Sequence, residues 1–444
     1  MTRRLLVTDA LLVDVTNQPR VRPGGWLLAE DGVIVDTGAG RPPVADAETE
    51  VLDVAGAYVG PGFVSSHSHL FTSVARGLGA DEPLYGWADA MYSVSADADA
   101  EDVYWAAAHG AFDSLNSGVT TVFDFIDSRR PWVSMRDDAT EPALRPPAYV
   151  HRQVDAHADA GIRGVMAVKL EGVDADRDQA WKDFADAVAH IRGGDRRYLL
   201  DAAVYGAAQW ARDEQLADVE VEAMRHFGIV NQAHLLETRE QIEAQWEKFA
   251  WYERAGALGS GMIFGHFVHP TDHIVDACAR AGCAVSWQPV ANGRLGSGTA
   301  DITRLRASGI RVGLGLDDQA CSDLSDPWQN MRFGLYQHRA STRSTALSVS
   351  DVLRMQTLGA AEIIGVDDRV GSLEPGKYAD FVIVDPRQPD LGPLRDPLAS
   401  YVLSVGQRNL RSVYVGGELA SHEGIATSPL AADASRQAHR RFAP

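Results

Sequence analysis

Cysteine is scarce in this sequence, and its scarcity excludes a disulfide-stapled fold. The 444 residues include three cysteines, Cys278, Cys283 and Cys321, which form no paired framework and fit a reducing, cytoplasmic location. Cys278 and Cys283 lie on either side of Gly282. We expect a helix core followed by a strand start at these two positions rather than a metal site.

Basic residues are outnumbered as well. Lys and Arg total 41 against 61 Asp and Glu, and the formal net charge is -20. Such a surface repels phosphate backbones, so DNA and RNA polymers are excluded as expected partners, whereas a free nucleobase or another small molecule is not.

Long apolar runs are missing too. No segment approaches the length of a membrane span, so we expect no membrane association. Arg3 and Arg4 precede a short apolar run, but Asp9 and Asp14 interrupt it before a signal core could form. The sequence therefore predicts no secretion signal.

Both ends of the chain have the pattern of short strands joined by turns. Residues 5–7, 26–28 and 33–35 are apolar and are separated by Gly and Asp turns, and residues 381–384 and 413–415 repeat this pattern. Because chain ends often lie close together, we expect the two ends to form one small β domain.

Between the two ends, candidate strands alternate with helical stretches. Residues 238–255 are one predicted helix, in which Thr238 and Gln241 have the spacing of a capping box and Gly256 suits the C-terminal end. Residues 350–364 are another predicted helix, which begins at Ser350. Eight strands alternating with helices over about 250–300 residues predict an α/β fold of the (β/α)8 TIM-barrel type. A doubly wound open sheet is the alternative, but no glycine-rich dinucleotide loop follows the first of these strands. The candidate strands are 57–64, 119–125, 164–169, 198–204, 228–233, 262–265, 284–287 and 312–316.

Polar residues at the carboxyl ends of these strands are the candidate active-site residues, since the active site of such a barrel lies at that end. His67 and His69 are two apart on one strand, so their imidazoles share a face and can bind one divalent metal. A pair of ordinary surface or core histidines is the alternative interpretation of these two residues alone. Later strands add further polar residues at their ends, namely His234, Glu237, His266 and Asp317, with Asp318 beside the last.

These residue types together suit metal-assisted hydrolysis. Three imidazoles and one carboxylate can surround Zn²⁺ and leave a site for water, whose pKa then falls to about 7. Asp317 can bind the ion and also accept the water's proton. Glu237 is placed to carry that proton to a ring nitrogen or leaving group, and His266, if it is not a ligand, can polarise the developing oxyanion.

Several longer segments carry a family pattern. They are Pro61-Gly62-Phe63-Val64-Ser65-Ser66-His67-Ser68-His69-Leu70, Ser117-Gly118-Val119-Thr120-Thr121, His234-Leu235-Leu236-Glu237, Gly265-His266, Leu295-Gly296-Ser297-Gly298, Thr357-Leu358-Gly359-Ala360-Ala361 and Gly371-Ser372-Leu373-Glu374-Pro375-Gly376-Lys377. From about residue 5 to 420 the chain resembles the amidohydrolase superfamily, specifically its branch of cytosine, guanine and adenosine-type deaminases and triazine hydrolases.

This resemblance implies a metal-dependent barrel, residues 60–365, flanked by a composite β-sandwich of residues 1–59 and 366–444. It implies a homo-oligomer as well. The ion is expected to be Zn²⁺, with Fe²⁺ as the alternative, because mixed imidazole and carboxylate sites accept both. The implied ligands of this single ion are His67, His69, His234 and Asp317, and the implied catalytic residues are Glu237 and His266.

Three departures from the branch's pattern concern the substrate pocket. After the fourth strand, where the branch commonly has a His that touches the heterocycle, this chain has Tyr205 and no His. Gly86 stands before Trp87, where adenosine or S-adenosylhomocysteine deaminases have a Glu that binds ribose hydroxyls. After the seventh strand, Trp287 and Gln288 replace part of a His-Asn-Pro-like segment. Aromatic walls favour a flat or apolar ligand, and packing of the barrel mouth is the alternative role for Tyr205 and Trp287. The predicted substrate-binding residues are Trp87, Tyr205, Trp287 and Gln288.

Three other features have weaker functional interpretations. His269 and His273 are four apart, and we expect them to be solvated or capping residues. Lys169 ends the third strand, but the bridging lysines of two-metal relatives lie on the fourth, so we expect one ion. Residues 127–147 are long for a connection, and a mobile lid and a disordered insertion are equal alternatives.

The predicted function is hydrolytic deamination of a small N-heterocycle of nucleobase, pterin or triazine type by a metal-bound hydroxide. The same hydroxide could instead cleave a cyclic amide, a urea-like group or an aryl C–Cl bond. A non-enzymatic scaffold on the same fold is the remaining alternative, because a fold does not by itself establish a function.

Overall fold

Two β-sheets organise the chain. The computed structural model describes residues 3–132 and 142–443, and within them each sheet has nine strands. The strands are β1 (Arg4–Asp14), β2 (Arg20–Glu30), β3 (Val33–Ala39), β4 (Thr49–Asp53), β5 (Tyr58–Pro61), β6 (Phe63–His69), β7 (Val119–Phe125), β8 (Arg163–Val168), β9 (Leu199–Gly206), β10 (Asn231–Leu235), β11 (Met262–His266), β12 (Ala284–Trp287), β13 (Arg311–Leu314), β14 (Asp317–Asp318), β15 (Phe381–Val384), β16 (Leu410–Val415), β17 (Glu418–His422) and β18 (Ile425–Ala426).

Helices connect most of the parallel strands. They are α1 (Leu84–Tyr92), α2 (Ala100–Asn116), α3 (Ala148–Ala160), α4 (Arg177–Gly193), α5 (Gln215–Phe227), α6 (Ile242–Ala255), α7 (Asp272–Ala281), α8 (Pro289–Arg294), α9 (Ile302–Ala307), α10 (Pro327–Thr342), α11 (Val349–Met355), α12 (Leu358–Ile363), α13 (Pro397–Leu403) and α14 (Leu430–Phe442). Among the described residues, none of these helices combines the length and the apolar character that a bilayer span requires. Cys278 lies in α7 and Cys283 lies directly before β12, as predicted.

The second sheet is a TIM-like α/β barrel, as the alternation of strands and helices predicts. Its order is β13-β12-β11-β10-β9-β8-β7-β6-β14, and its paired strands are parallel. β13 and β14 are two pieces of one barrel strand, and β14 pairs with β6 through Asp317 and Ser68. This pairing brings the last strand back to the first.

The break between β13 and β14 has a local cause at Gly315. A Cβ at this position would lie 2.5 Å from the Cβ of His67, so only glycine lets the two strands approach here. At the break, the backbone N–H of Leu316 loses its partner in the sheet. It donates a hydrogen bond to Ser65 Oγ at 2.9 Å instead. The strand predicted over 312–316 therefore ends at Leu314, and the barrel strand resumes at Asp317, beside the histidine-bearing strand.

The first sheet draws strands from both ends of the chain. Its order is β18-β17-β16-β15-β5-β1-β2-β3, with β4 paired to β1. β5 and β15 join the two ends, with Val59 opposite Ile383 in antiparallel register. The C-terminal helix α14 lies instead against the barrel helix α2, where Arg441 pairs with Asp102. The sandwich arrangement and the domain boundaries at residues 1–59, 60–365 and 366–444 stay predictions.

The apolar run 57–64 is divided between the two sheets. Tyr58–Pro61 belongs to the first sheet and Phe63–His69 to the barrel, so the prediction of one strand across this run is wrong. Gly62 is the crossing point, where its N–H donates to Asp380 O at 2.9 Å. A Cβ on Gly62 would lie 2.2 Å from Thr120 Oγ1, which explains why the crossing occurs at a glycine.

The capping box predicted at Thr238 is wrong. α6 begins at Ile242, because Gln241 before it is left-handed with φ 53° and makes no side-chain cap. Thr238 Oγ1 instead accepts a hydrogen bond from Glu240 N at 3.3 Å. The predicted C-terminal end of this helix at Gly256 is confirmed, since Gly256 has φ 70°, in the left-handed region that favours glycine.

The stretch predicted as one helix over 350–364 is two helices, α11 and α12. Ser348 rather than Ser350 caps the first, accepting from Asp351 N at 3.1 Å. The break follows from pairing with the barrel, since Gln356 O accepts from Val64 N at 3.1 Å and Gln356 Nε2 donates to Val64 O at 3.0 Å. Thr357, directly after this contact, has φ -130° and ψ -104° and so leaves the helical conformation.

A buried ion pair ties the barrel to the first sheet. Arg163 at the start of β8 places Nε 2.7 Å from Asp380 Oδ2 and its terminal nitrogen 2.9 Å from Asp380 Oδ1. Gly416 N donates to the same carboxylate at 2.7 Å, and the Tyr378 ring lies 3.7 Å below the guanidinium. The pair is bidentate and nearly inaccessible, so each charge depends on the other for compensation.

Removing one partner of this pair should destabilise the fold. We expect Asp380→Asn to lower the free energy of unfolding by about 3–5 kcal/mol, because it leaves the Arg163 guanidinium buried without a counter-ion. Urea-induced unfolding measures this change. As the matched control, Glu214→Gln breaks an exposed pair with Arg254 and should cost under about 1 kcal/mol. Equal effects of the two substitutions would contradict the assignment.

Candidate active site

Six buried polar side chains meet at the carboxyl end of the barrel. All six of the predicted metal-binding and catalytic residues are among them. They are His67 and His69 of β6, His234 of β10, Glu237 just beyond β10, His266 at the end of β11 and Asp317 at the start of β14.

Four of these side chains have the spacing of ligands around one ion. His69 Nε2 lies 3.1 Å from His234 Nε2 and 3.3 Å from His67 Nε2. Asp317 Oδ1 lies 3.4 Å from His67 Nε2 and 3.7 Å from His69 Nε2. A tetrahedral ion with bonds of about 2.0–2.1 Å separates its ligand atoms by about 3.3–3.4 Å. The residues present therefore fit a single small divalent ion.

Burial keeps the imidazoles of His69 and His234 in the form that binds a metal. Burial and then the neighbouring His67 lower the pKa of His69 to about 3, and burial lowers the pKa of His234 well below its ordinary value. A neutral imidazole offers a lone pair to an ion, whereas an imidazolium does not.

Neighbouring side chains fix the orientation of the histidine rings. His67 Nδ1 faces Gln232 Oε1 at 2.5 Å, and Gln232 Nε2 donates to Ser66 O at 2.9 Å. This contact holds the ring proton on Nδ1 and leaves the His67 Nε2 lone pair for the ion. Phe125 stacks on the His69 ring with centroids 4.8 Å apart and planes 14° apart.

Glu237 and His266 form a second pair beside the ligands. His266 Nε2 lies 3.4 Å from Glu237 Oε2 and 3.8 Å from Asp317 Oδ2. Burial, with smaller contributions from Asp317 and Asp318, raises the pKa of Glu237 well above its ordinary value. A carboxyl group that holds its proton near neutral pH can serve as a general acid.

The backbone at these strand ends is strained. His266 and Asp317 both have φ 66°, and Leu236 has φ 61°, although none is glycine. Each such residue costs of the order of 1–3 kcal/mol, and this strain concentrates at functional sites. Here it directs two of the six side chains into the cluster.

A cavity opens above the cluster. Carboxyl groups of Asp127, Glu237 and Asp318 face it, in addition to His69, His234, His266 and Asp317. Its aromatic walls include Trp87, Tyr92, Trp132, Tyr205 and Trp210. The cavity thus combines flat apolar surfaces with hydrogen-bond acceptors, as a site for a planar, donor-bearing molecule requires.

Asp318 is the least satisfied of these carboxyl groups. Its Oδ1 is buried and has no hydrogen-bond partner among the described residues, and its Oδ2 lies 3.9 Å from His69 Nε2. Burial and then Asp317 raise the pKa of Asp318 well above its ordinary value. A cation in the cluster opposes this shift, because positive charge favours the ionised carboxylate.

A profile of the amidohydrolase family matches residues 58–420, most of the chain. The chain belongs to the amidohydrolase family. Over 428 residues this amidohydrolase is 28% identical to the 5-methylthioadenosine/S-adenosylhomocysteine deaminase of Symbiobacterium thermophilum, which covers 94% of this chain and 93% of that protein.

Solved structures share the fold of this amidohydrolase. An adenosine deaminase from Xanthomonas campestris with bound zinc superposes with a TM-score of 0.84 and 21% identity, covering 98% of both chains. The atrazine chlorohydrolase of Arthrobacter aurescens, also with zinc, gives a TM-score of 0.83 and 19% identity over 98% of this chain and all of that one. These likenesses establish the barrel architecture.

The prediction that Trp287 contacts the substrate is wrong. Its side chain is fully buried and does not line the cavity. It packs in the hydrophobic core with Trp328, close to Gly334 of α10, because β12 presents this face to the surrounding helices. Trp87 and Tyr205 do line the cavity, and their contact with substrate stays a prediction.

Gln288 is also absent from the cavity lining, which corrects its predicted contact with the substrate. Gln288 Oε1 accepts a hydrogen bond from His266 N at 2.8 Å, and its Nε2 donates to Ser286 Oγ at 2.8 Å. The side chain is fully buried and engages the protein at both ends. It holds the strained backbone of His266.

Sequence reasoning missed Gln232 and Asn292 and gave no role to Asp318. Gln232 lies two residues before His234 on β10, so strand periodicity could have placed it on the same face. Asp318 had only its place beside Asp317 as a signal. Asn292, whose Nδ2 lies 2.8 Å from His266 Nδ1, sits on the separate short helix α8, and no spacing in the sequence points to it.

The weaker candidates lie apart from the ligands. His269 Nε2 contacts Ser297 O at 2.8 Å, and exposed His273 lies 3.4 Å from Glu253 Oε2. Lys169 lines the cavity wall. Among the described residues, the side-chain groups spaced for a metal all come from the one cluster. Of the suggested lid 127–147, residues 133–141 lie outside the described residues, and the lid stays a prediction.

Graded loss of metal should follow from two substitutions. We expect Asp317→Ala to abolish activity and stable metal retention, because it removes a ligand. Gln232→Leu leaves every ligand in place but frees the His67 ring, so metal affinity should fall about 10–100-fold. Titration with Zn²⁺ against a competing chelator measures both. Gln179→Leu, on the surface helix α4, is the control, and unaltered affinity in Gln232→Leu would refute the supporting role.

Proposed function

We propose that this amidohydrolase is a metal-dependent deaminase that converts an aminated small N-heterocycle and water into the corresponding oxo compound and ammonia. The observation that carries the proposal is the close approach of His67, His69, His234 and Asp317, with Glu237 Oε2 3.4 Å from His266 Nε2, at the base of an aromatic-walled cavity. Relatives named as adenosine-type deaminases support the same class of reaction.

The proposed ion is Zn²⁺, with Fe²⁺ as the alternative, since this mixture of imidazole and carboxylate ligands accepts both. Zinc in two structures of the same fold supports this choice. Bound by His67, His69, His234 and Asp317, the ion supplies Lewis-acid activation of the attacking water.

Glu237 moves the protons. It begins protonated and donates to a ring nitrogen as the water's oxygen adds to the adjacent carbon, which becomes tetrahedral, while the water passes one of its two protons to Asp317. Glu237 then takes the remaining proton from the added hydroxyl group and passes it to the amino group, which leaves as ammonia. The proton held by Asp317 returns to Glu237 and restores the starting state. The His266 Nε2 side of the pocket faces the added oxygen and stabilises its developing charge.

Hydrolysis of an aryl C–Cl bond is the second candidate, because the fold is shared with an atrazine chlorohydrolase. Asp318 favours the amine. Its carboxyl group lines the cavity, and a cation held by the neighbouring histidines and Asp317 would favour its ionised form, which accepts a hydrogen bond from an N–H of the leaving group. A chlorine offers no donor to this carboxylate.

The proposal also includes the cellular location and the oligomeric state of the enzyme. A cytoplasmic enzyme fits the three free, buried cysteines. The homo-oligomeric state rests on the family resemblance alone.

Ammonia release tests the reaction class. We expect the zinc-loaded enzyme to release ammonia from at least one member of a panel of aminopurines, aminopyrimidines, pterins and aminotriazines. Glu237→Gln should lower kcat by about 10²–10⁴-fold while retaining its metal, because only the proton carrier is lost. Absence of ammonia release across the panel, or full activity in Glu237→Gln, would overturn the proposal.

Matched leaving groups test Asp318. With 6-amino and 6-chloro derivatives of one purine, we expect the wild type to prefer the amine, and Asp318→Asn to lower its kcat/KM about 10-fold relative to the chloride. The expected cause is the loss of a hydrogen bond between the charged Asp318 carboxylate and the leaving amino group, which contributes about 1.5–3 kcal/mol. Ammonia and chloride release give the ratio, and metal content serves as the control. An unchanged ratio would remove Asp318 from leaving-group selection.

A further inference from the structure

We infer that Asn292 sets the tautomer of His266: its amide donates to Nδ1, so the ring proton sits on Nε2 and faces the reacting oxygen. The tautomer is a property of the folded chain, and only its chemical consequence rests on the proposed function. Asn292 acts through His266 and is thus a positioning residue.

The contact between the two side chains is short and closed to water. Asn292 Nδ2 lies 2.8 Å from His266 Nδ1, and Asn292 is fully buried on α8. Asn292 N donates to Gln288 O at 3.0 Å, and Ser297 N donates to Asn292 O at 2.9 Å, so the residue is anchored on both sides. The same short helix therefore follows Gln288, which holds the His266 backbone, and carries Asn292, which holds the ring.

The far side of the ring decides where the proton lies. An amide at this distance could either donate to Nδ1 or accept from it, depending on which way it is turned. His266 Nε2, however, faces two carboxyl groups, with Glu237 Oε2 at 3.4 Å and Asp317 Oδ2 at 3.8 Å. A lone pair on Nε2 would be repelled by the carboxylate of Asp317, whereas an N–H is attracted to it and can also donate to the unprotonated oxygen of Glu237. Nδ1 is consequently the acceptor, and the Asn292 amide group is the donor.

The remaining amide atom agrees with this orientation. Asn292 Oδ1 is buried and makes no hydrogen bond to the described residues. No competing donor thus turns the amide the other way. The hydrogen bond of Asn292 to the ring of His266 is therefore the one that its side chain makes to the described residues.

The chemical consequence concerns the oxygen added to the substrate. An Nε2–H can donate a hydrogen bond to this oxygen as negative charge develops, whereas an Nε2 lone pair would repel it. Asn292 would thereby turn an imidazole, which can be a base or a donor, into a donor only.

Two substitutions separate this role from simple packing. Asn292→Asp keeps the shape of the side chain but presents only acceptors when ionised, so it should draw the ring proton to Nδ1. Asn292→Ala leaves a small cavity and no preference for either tautomer. We expect kcat to fall about 100-fold in Asn292→Asp and about 10-fold in Asn292→Ala, with KM changed less than about threefold. A packing role predicts the opposite order, because the isosteric change would be the milder one.

The tautomer itself is measured by ¹⁵N NMR of the zinc-loaded enzyme labelled at histidine, with the His266 signals assigned by His266→Gln. We expect a protonated Nε2 and an unprotonated Nδ1 in the wild type, and the reverse in Asn292→Asp. Asn116→Asp, whose side chain contacts Ser421 far from the cluster, is the matched control and should change neither signal nor kcat. A protonated Nδ1 in the wild type would overturn the inference even if ammonia release succeeds, and the NMR result decides it even if no substrate is found.

Discussion

The site depends on one constraint: buried histidine nitrogens and a carboxylate oxygen point their lone pairs at one another at the mouth of the barrel. The Nε2 atoms of His69 and His234 lie 3.1 Å apart, and a carboxylate oxygen of Asp317 completes the group. Burial keeps the rings neutral, so the group has an excess of acceptors and too few protons to pair them. A cation is what makes such a cluster stable, which is why the ligand set implies the chemistry.

The surrounding fold is arranged to keep these groups in place before any ion or substrate arrives. Gly315 lets two strands approach beside His67, while Gln232 and Phe125 fix the histidine rings. Left-handed backbone at His266 and Asp317 turns both side chains inward. Strain of this kind persists only when neighbouring contacts compensate for it, and Gln288 supplies one such contact at His266.

Two positions at which the sequence departs from the pattern of the branch it resembles lie at this cavity or behind it. Tyr205 lines the wall where the branch commonly has a histidine, and Gln288 is committed to the backbone of His266 instead of the substrate. Acceptor groups, Asp318 above all, remain available near the ligands. The same metal cluster can thus serve different leaving groups, and the residues around it determine which one is favoured.

Local patterns in the sequence determined the parts of the protein that depend on neighbours along the chain. Alternation of strands and helices predicted the barrel, i,i+2 spacing paired His67 with His69, and polar residues at strand ends marked the other four members of the cluster. These features follow from backbone periodicity, which every segment carries within itself.

Tertiary structure alone decided what depends on contacts between distant segments. Gln356 breaks a predicted helix because its carbonyl pairs with Val64, and Trp287 packs among helices because the strand turns that face outward. Asn292 reaches His266 only through the placement of α8. Side-chain direction and hydrogen-bond choice are settled by which surfaces pack together, and that information is spread over the whole chain rather than held in any one motif.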